Sequence, residues 1–383
     1  MKHIRLKSVG PVNGWYQVGL PLLLLVLPLL VQAQYIPISS HSAGRTLLTT
    51  GLDEIYNNQF GAAETTFVRL EKLTPNHPAV DLLRGVSLFY QWFLARTDTR
   101  LKQLCQQQLQ RAAQEADNWL TGLKKAKNAD QAEAMFVYFT AEVLQAKISH
   151  YEHETMSAIR HARNAYPFIQ KGKTFQQQYP DFYLSTGLYN YYRDVYPEIH
   201  PFYKTVAWVM TAGDKKQGLS QLQQATKQAL FVRTEAILYL THLLTDYENR
   251  PADALPYLAQ LVVTYPNNPY WRYKYAEALL NAHQLEAVPH EITQLMAARE
   301  TVYHQMGMLL NARYALEKGQ RSAAQTLASE VINSSVREES VRAYAYLVLA
   351  RIATLQNQPK QARRYYKQML DYAEYPILRN EAP

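Results

Sequence analysis

Any chemistry in this 383-residue chain must come from a few side-chain clusters. His150, His153 and His161 lie close to Glu152 and Glu154, and the first two, three apart on a helix, share a face in one zinc-type geometry. The His-Glu-x-x-His spacing that adds a general base is missing, and His290-Glu291 stands alone. Ser87 follows Gly85-Val86 without the second glycine of a nucleophile elbow, so a packed helix position is expected for it. Cys105 is the single cysteine; it reads as a structural thiol, and no internal disulfide can form. No Gly-x-Gly-x-x-Gly or Walker-type loop occurs, and 14 glycines are few for a backbone phosphate cradle. Residues 213–218, with two lysines between glycines, read as a turn into a helix capped by Asp214, with Leu219 and Leu222 opening its apolar face. The expectation is a protein with no catalytic residues, no metal and no cofactor.

Recognition is the other chemistry available. Residues 179–203 hold Tyr179, Phe182, Tyr183, Tyr189, Tyr191, Tyr192, Tyr196, Phe202 and Tyr203, part of a total of 29 tyrosines. A tyrosine ring is rigid and apolar with a polar tip, which suits partner recognition or glycan stacking; packing between two helical halves uses the same rings. Placing Leu188, Tyr191 and Val195 on the buried side of one helix leaves Tyr189, Tyr192 and Arg193 outward. With Tyr196 and His200 they form the expected partner-binding set. The alternative is a carbohydrate or small-molecule site, or an enzyme pocket, in the same stretch. It requires Asp181, Asp194 and Glu198 to converge.

The elements that position these residues come next. Lys2, Arg5 and Lys7 precede an apolar run from Val18 to Val31, and Val31-Gln32-Ala33 has the small residues of a signal-peptidase site. The run is shorter than the roughly 20 residues that cross a bilayer, and Pro21 and Pro28 interrupt it. Cleavage after Ala33 and a periplasmic or secreted location are expected. Removing three basic residues lowers the formal charge from +8 to +5, with no dense basic run, so nucleic acid is not an expected partner. Apolar residues make up 48% of the chain, enough for a large core.

Periodicity assigns the rest to helices. Gly51 lies in one helix, Ala63 and Phe67 in the next, Pro75 closes the unit, and Gly85 follows Gly51 by 34 residues. Small residues at this period let two helix backbones approach, and Phe67 fills the neighbouring groove. The same grammar returns around Ile237 to Pro266, with turns at Asn249-Arg250-Pro251 and Asn267-Asn268. It continues through Trp271 to Leu295, then through Ala312, Ala315, Gly319 and Ala324, and finally through Ala350, Ala353, Ala362 and Met369. Ala324 and Ala362 stand 38 apart, which asks for a longer turn near Ser334. Residues 96–203 keep helical spacing but lose the repeat, with long helices expected at 101–123, 136–148 and 155–178.

These segments look like tetratricopeptide repeats. That resemblance covers about half of the mature chain. It implies an all-α fold of antiparallel helix pairs stacked as a right-handed solenoid, here interrupted by the central segment, with a binding face for a peptide or protein. The expected organisation is a signal peptide at 1–33, N-terminal helices at 34–95, the central segment at 96–203 and a C-terminal array at 204–383. Residues 187–191, then Pro197, Trp208 and residues 213–219, are fainter in kind and similar to the eukaryotic tetratricopeptide family that includes fungal inclusion-body clearance proteins. The function expected is a non-enzymatic interaction or scaffold module of the bacterial cell envelope; a third reading is a scaffold that only organises an oligomer, through the C-terminal helix with Tyr365, Tyr366, Met369, Leu370 and Tyr372.

Overall fold

The computed structural model describes residues 35–123, 129–199, 211–298, 300–335, 338–373 and 375–383. The expected signal segment and His200 lie outside these residues. The described residues hold α-helices and no strand. The first half comprises α1 (Ser42–Tyr56), α2 (Phe60–Leu73), α3 (Pro78–Leu94), α4 (Thr99–Gly122), α5 (Ala129–Tyr151), α6 (Thr155–Phe175) and α7 (Phe182–Ile199). Then come α8 (Lys215–Gln228), α9 (Arg233–His242), α10 (Pro251–Thr264), α11 (Pro269–Asn281) and α12 (Val288–Met296). The last are α13 (Thr301–Glu317), α14 (Arg321–Asn333), α15 (Glu339–Leu355), α16 (Pro359–Tyr372) and α17 (Pro376–Arg379). None is long and apolar enough to cross a membrane.

Consecutive helices pack on one another, α1 with α2 and onward to α15 with α16, and odd-numbered helices also touch the next odd one in α1–α3–α5 and α11–α13–α15. The pairing runs through the described residues between 96 and 199, where α4, α5 and α6 are 24, 23 and 21 residues long. Six first helices of a pair stop by the same device. Asn58, His153, Asn249, His283, Gly319 and Asn357 take positive φ just past the ends of α1, α5, the α9 extension, α11, α13 and α15. A left-handed residue ends the helix and turns the chain sharply, a conformation that glycine and asparagine adopt at least cost. The partner helix then starts on a proline in α10 and α16, where a missing N–H costs nothing.

The small residues sit where helices cross. A Cβ on Gly51 would lie 2.3 Å from the Phe67 ring, and one on Gly85 would lie 2.6 Å from Leu109. Cys105, beside that crossing, donates to the Gly85 carbonyl at 3.3 Å, and burial pushes its thiol pKa up to about 12. Between α7 and α8 it is backbone that meets backbone, and a Cβ on Gly218 would meet the Gly187 carbonyl and the Tyr191 amide, each at 2.7 Å. Asp214 caps α8 through the Gln217 amide at 2.8 Å. At the C-terminus α17 packs on α15 and α16, and Leu370 on α16 remains 38% exposed.

The two halves of the chain also meet. The Tyr56 carbonyl at the end of α1 accepts from Asn268 Nδ2 at 2.8 Å and from Trp271 Nε1 at 3.0 Å. Asn267 donates its amide to Asn57 Oδ1, and the Tyr265 hydroxyl donates to Asp53. These bonds bring α1 against the start of α11.

Candidate functional site

Where the odd-numbered helices face one another they leave a cavity of about 890 Å³. Its walls come from the end of α3 (Phe93, then Arg96), α5 (Lys147, His150, Tyr151), α9 (Tyr239, His242), α11 (Tyr273, Lys274, Glu277), α13 (Met306), α15 (Glu339, Arg342) and the α14–α15 turn. Each wall is one side of a helix whose other sides are packed in the core, so polar groups on separate helices border one space.

His242 and Asp246 form the most constrained pair in it. The helix α9 runs into a π-helical turn, Leu243–Tyr247, and the wider turn sets Asp246 with its carboxylate 2.6 Å from His242 Nδ1. Such π-bulges occur often at functional sites. Asp246 is 2% exposed. Burial alone would raise its pKa, but Lys274, the His242 hydrogen bond and Arg313 outweigh burial and lower it. With Asp246 ionised, Nδ1 carries the proton of that hydrogen bond. Lys274, in contact with Glu277, is likewise opposed by burial, yet Glu277 and Asp246 raise its pKa.

Lys147 stands on the facing wall. Its ammonium donates to the Tyr239 hydroxyl at 3.3 Å and lies 5.2 Å from the Phe89 ring centre. Burial disfavours its charge, while Tyr239 and Glu235 favour it, and the net direction is upward. Arg96 lies over the Phe93 and Tyr151 rings at 4.6 and 4.1 Å and reaches Glu338 at 3.5 Å. The cavity therefore offers fixed cations, fixed anions and aromatic faces side by side. That combination is complementary to a polar group of mixed charge.

The expected partner-binding residues are placed differently. Tyr189, expected to face outward, is 8% exposed; its hydroxyl donates to the Thr211 carbonyl at 2.7 Å and Lys173 covers its ring. The reason is that α7 is flanked by α6, by α8 and by the chain entering α8, so it has little free side. Tyr192, Arg193 and Tyr196 are half-buried, with the Tyr192 and Tyr196 rings edge-on at 5.2 Å. Tyr191 is buried, while Leu188 and Val195 are half-buried. An aromatic chain runs from Tyr192 to Tyr247 at 5.7 Å, and from Tyr247 to His242 at 5.5 Å and Tyr375 at 5.9 Å, so the tyrosine stretch abuts the cavity wall.

The three acids of that stretch do not converge. Asp181 is buried and accepts from the Leu230, Phe231 and Val232 amides at the start of α9, Asp194 accepts from the Lys215 amide, and Glu198 is exposed. The histidine–acid cluster is also divided, since His150 and His153 line the cavity while His161 holds Glu142 at 3.0 Å. Among the described residues no group of three acids, histidines or cysteines is arranged for a metal ion.

Apart from His150, Glu152 and His153, sequence reasoning missed the cavity residues. Their signals, His242 and Asp246 four apart and Lys274 and Glu277 three apart, look like solvated helix faces until the helices that oppose them are known. No protein-family model matches the chain, and no curated protein matches it.

Proposed function

We propose that this is a non-enzymatic binding module of the bacterial cell envelope, a tetratricopeptide-like array that takes a short polypeptide segment of its partner into the central cavity. The observation that carries the reading is the convergence of six odd-numbered helices on one space holding Lys147, Lys274, Arg96, Asp246, Glu277 and several tyrosines. An extended peptide presents backbone donors and acceptors together with side chains of both signs, which matches a wall of mixed charge and aromatic faces. Solenoids of helix pairs bind partners on the face built by the first helix of each pair. The export signal read at residues 1–33 supports the envelope location.

The test is photo-crosslinking in the native cell. A benzophenone amino acid replaces Glu339, exposed at the cavity wall, and in a second strain replaces Val263, which is 80% exposed and outside it. The expected result is a reproducible polypeptide adduct from position 339 that position 263 does not give. A folded, correctly located protein giving no polypeptide adduct at 339, or the same adducts at both positions, overturns the reading.

A further inference from the structure

An apolar cavity of about 100 Å³ lies between α1, α3, α5, α7 and α9. Val86, Phe139, Val143, Leu144 and Leu184 line it and are each half-buried, so apolar side-chain surface stays accessible along it. Lys147 and Tyr239 line both this cavity and the central one. The two spaces adjoin at that pair.

Water is a poor occupant here. It needs roughly two to four polar partners, and the polar groups on this wall already serve one another or the backbone. Glu235 accepts from the hydroxyls of Tyr56 and Tyr90, and Lys147 donates to Tyr239. Asp181 accepts from the Leu230, Phe231 and Val232 amides, and Ser185 donates to the Phe182 carbonyl at 3.2 Å. Thr140 is left as a lone hydroxyl among apolar neighbours. An engineered cavity of roughly 150 Å³ with apolar walls stays dry and takes benzene. A single hydrocarbon group therefore suits this space in size and in chemistry. A helix is too large for it, and a charged side chain would give up its hydration with every ion on the wall already engaged.

We infer that this cavity is an anchor pocket for one apolar side chain, of leucine or phenylalanine size, carried by the polypeptide that enters the central cavity; the inference rests on that peptide-binding reading. The segment's backbone and charged groups stay among the charged and aromatic walls of the central cavity, and the anchor passes the Lys147–Tyr239 pair. The pocket selects partners by that residue.

Two measurements on the full chain separate the pocket from the peptide reading. Benzene, the probe for the pocket alone, is expected to bind saturably and raise the Tm, and Val143→Phe, which puts a ring into the space, abolishes that shift. Val86→Phe serves in its place if that variant does not fold. Random peptides displayed on phage and selected against the chain are the second probe, and those that bind are expected to share one leucine, isoleucine or phenylalanine position. Alanine at that position, or Val143→Phe in the protein, weakens binding by at least about tenfold. Val263→Phe, at an 80% exposed position outside the cavity, leaves it unchanged. Peptide binding with no such position, or undiminished in folded pocket variants, overturns the anchor and leaves the peptide reading standing. A folded chain that shows no benzene shift also overturns the anchor. Benzene binding with no selectable peptide overturns the peptide reading and the anchor with it.

Discussion

His77 joins several contacts in one buried ring. Its Nδ1 caps α3 by accepting from the Ala79 amide at 3.2 Å, its Nε2 lies 3.6 Å from Glu133 Oε1, and Tyr35 and Trp119 meet the ring edge-on at 5.6 and 5.1 Å. Burial, with a smaller effect of His41, lowers its pKa from 6.5 to about 3. The contact with Glu133 is thus one between a neutral imidazole and a carboxyl group, not an ion pair. Unfolded, His77 takes a proton near 6.5, and folded only near 3, so between these values the unfolded state binds more protons and stability falls as pH falls. By pH 5 the loss is about 2 kcal/mol. Asp181 acts in the opposite sense. Burial raises its pKa from 3.8 to about 6 against the amides it accepts from, so the folded state binds more protons in that window and stability falls as pH rises through it. The two nearly cancel between about pH 4 and 6, which hides both in the wild type. His77→Asn keeps a capping acceptor and removes the titration. In urea unfolding at pH 7 and pH 5, the stability difference between wild type and His77→Asn is expected to shift by about 2 kcal/mol in favour of the variant at pH 5. A difference that stays constant would show that His77 protonates freely in the fold.

At the scale of the element, the Gly187–Gly218 crossing and the π-turn are the informative features. Gly218→Ala places a methyl against backbone atoms at 2.7 Å, where nothing can rotate away, and is expected to cost about 3 kcal/mol or more. Gly61→Ala on α2, with nothing within 4 Å of the new methyl, is expected to stabilise by about 0.5 kcal/mol. Thermal or urea unfolding of the pair checks the contrast, and equal effects would mean that α7 and α8 do not touch backbone to backbone. Much of this level was legible in the chain. Gly51, Gly85, Ala63 and Phe67 announced helix pairs because a pair is a local unit whose crossing needs small residues at a fixed spacing, and Asn249 and Gly319 announced turns because few residues accept positive φ. The long helices expected at 101–123, 136–148 and 155–178 match α4, α5 and α6. Illegible were the π-turn, which no residue type marks, and the burial of Tyr189, which depends on the 211–215 segment laid over it. The polar groups of α5, α9 and α11 announce no cavity in the sequence, because a facing partner such as Tyr239 lies 92 residues from Lys147.

For the whole molecule, the contacts that matter are those between halves. Beyond the bonds to the Tyr56 carbonyl, Glu235 on α9 accepts from the hydroxyls of Tyr56 and Tyr90, and Lys147 reaches Tyr239. A linear stack in which each pair contacts only its neighbours unfolds approximately as a sum of local units. Here α1 and α11 share bonds across 215 residues of sequence, so they are expected to open together. Hydrogen exchange should show the amides of α1 and α11 losing protection in one step, and Asn268→Ala, which removes both a helix cap and a bond to Tyr56, should lower stability by about 1–3 kcal/mol. Exchange of α1 far ahead of α11 would disprove the coupling. The same carbonyl gives the chain a mechanical property. A stack pulled from its ends extends gradually, one helix pair after another. In this molecule the bonds from Asn268 and Trp271 to Tyr56 must shear before the helices between them can lengthen, so their extension is expected to follow a force peak.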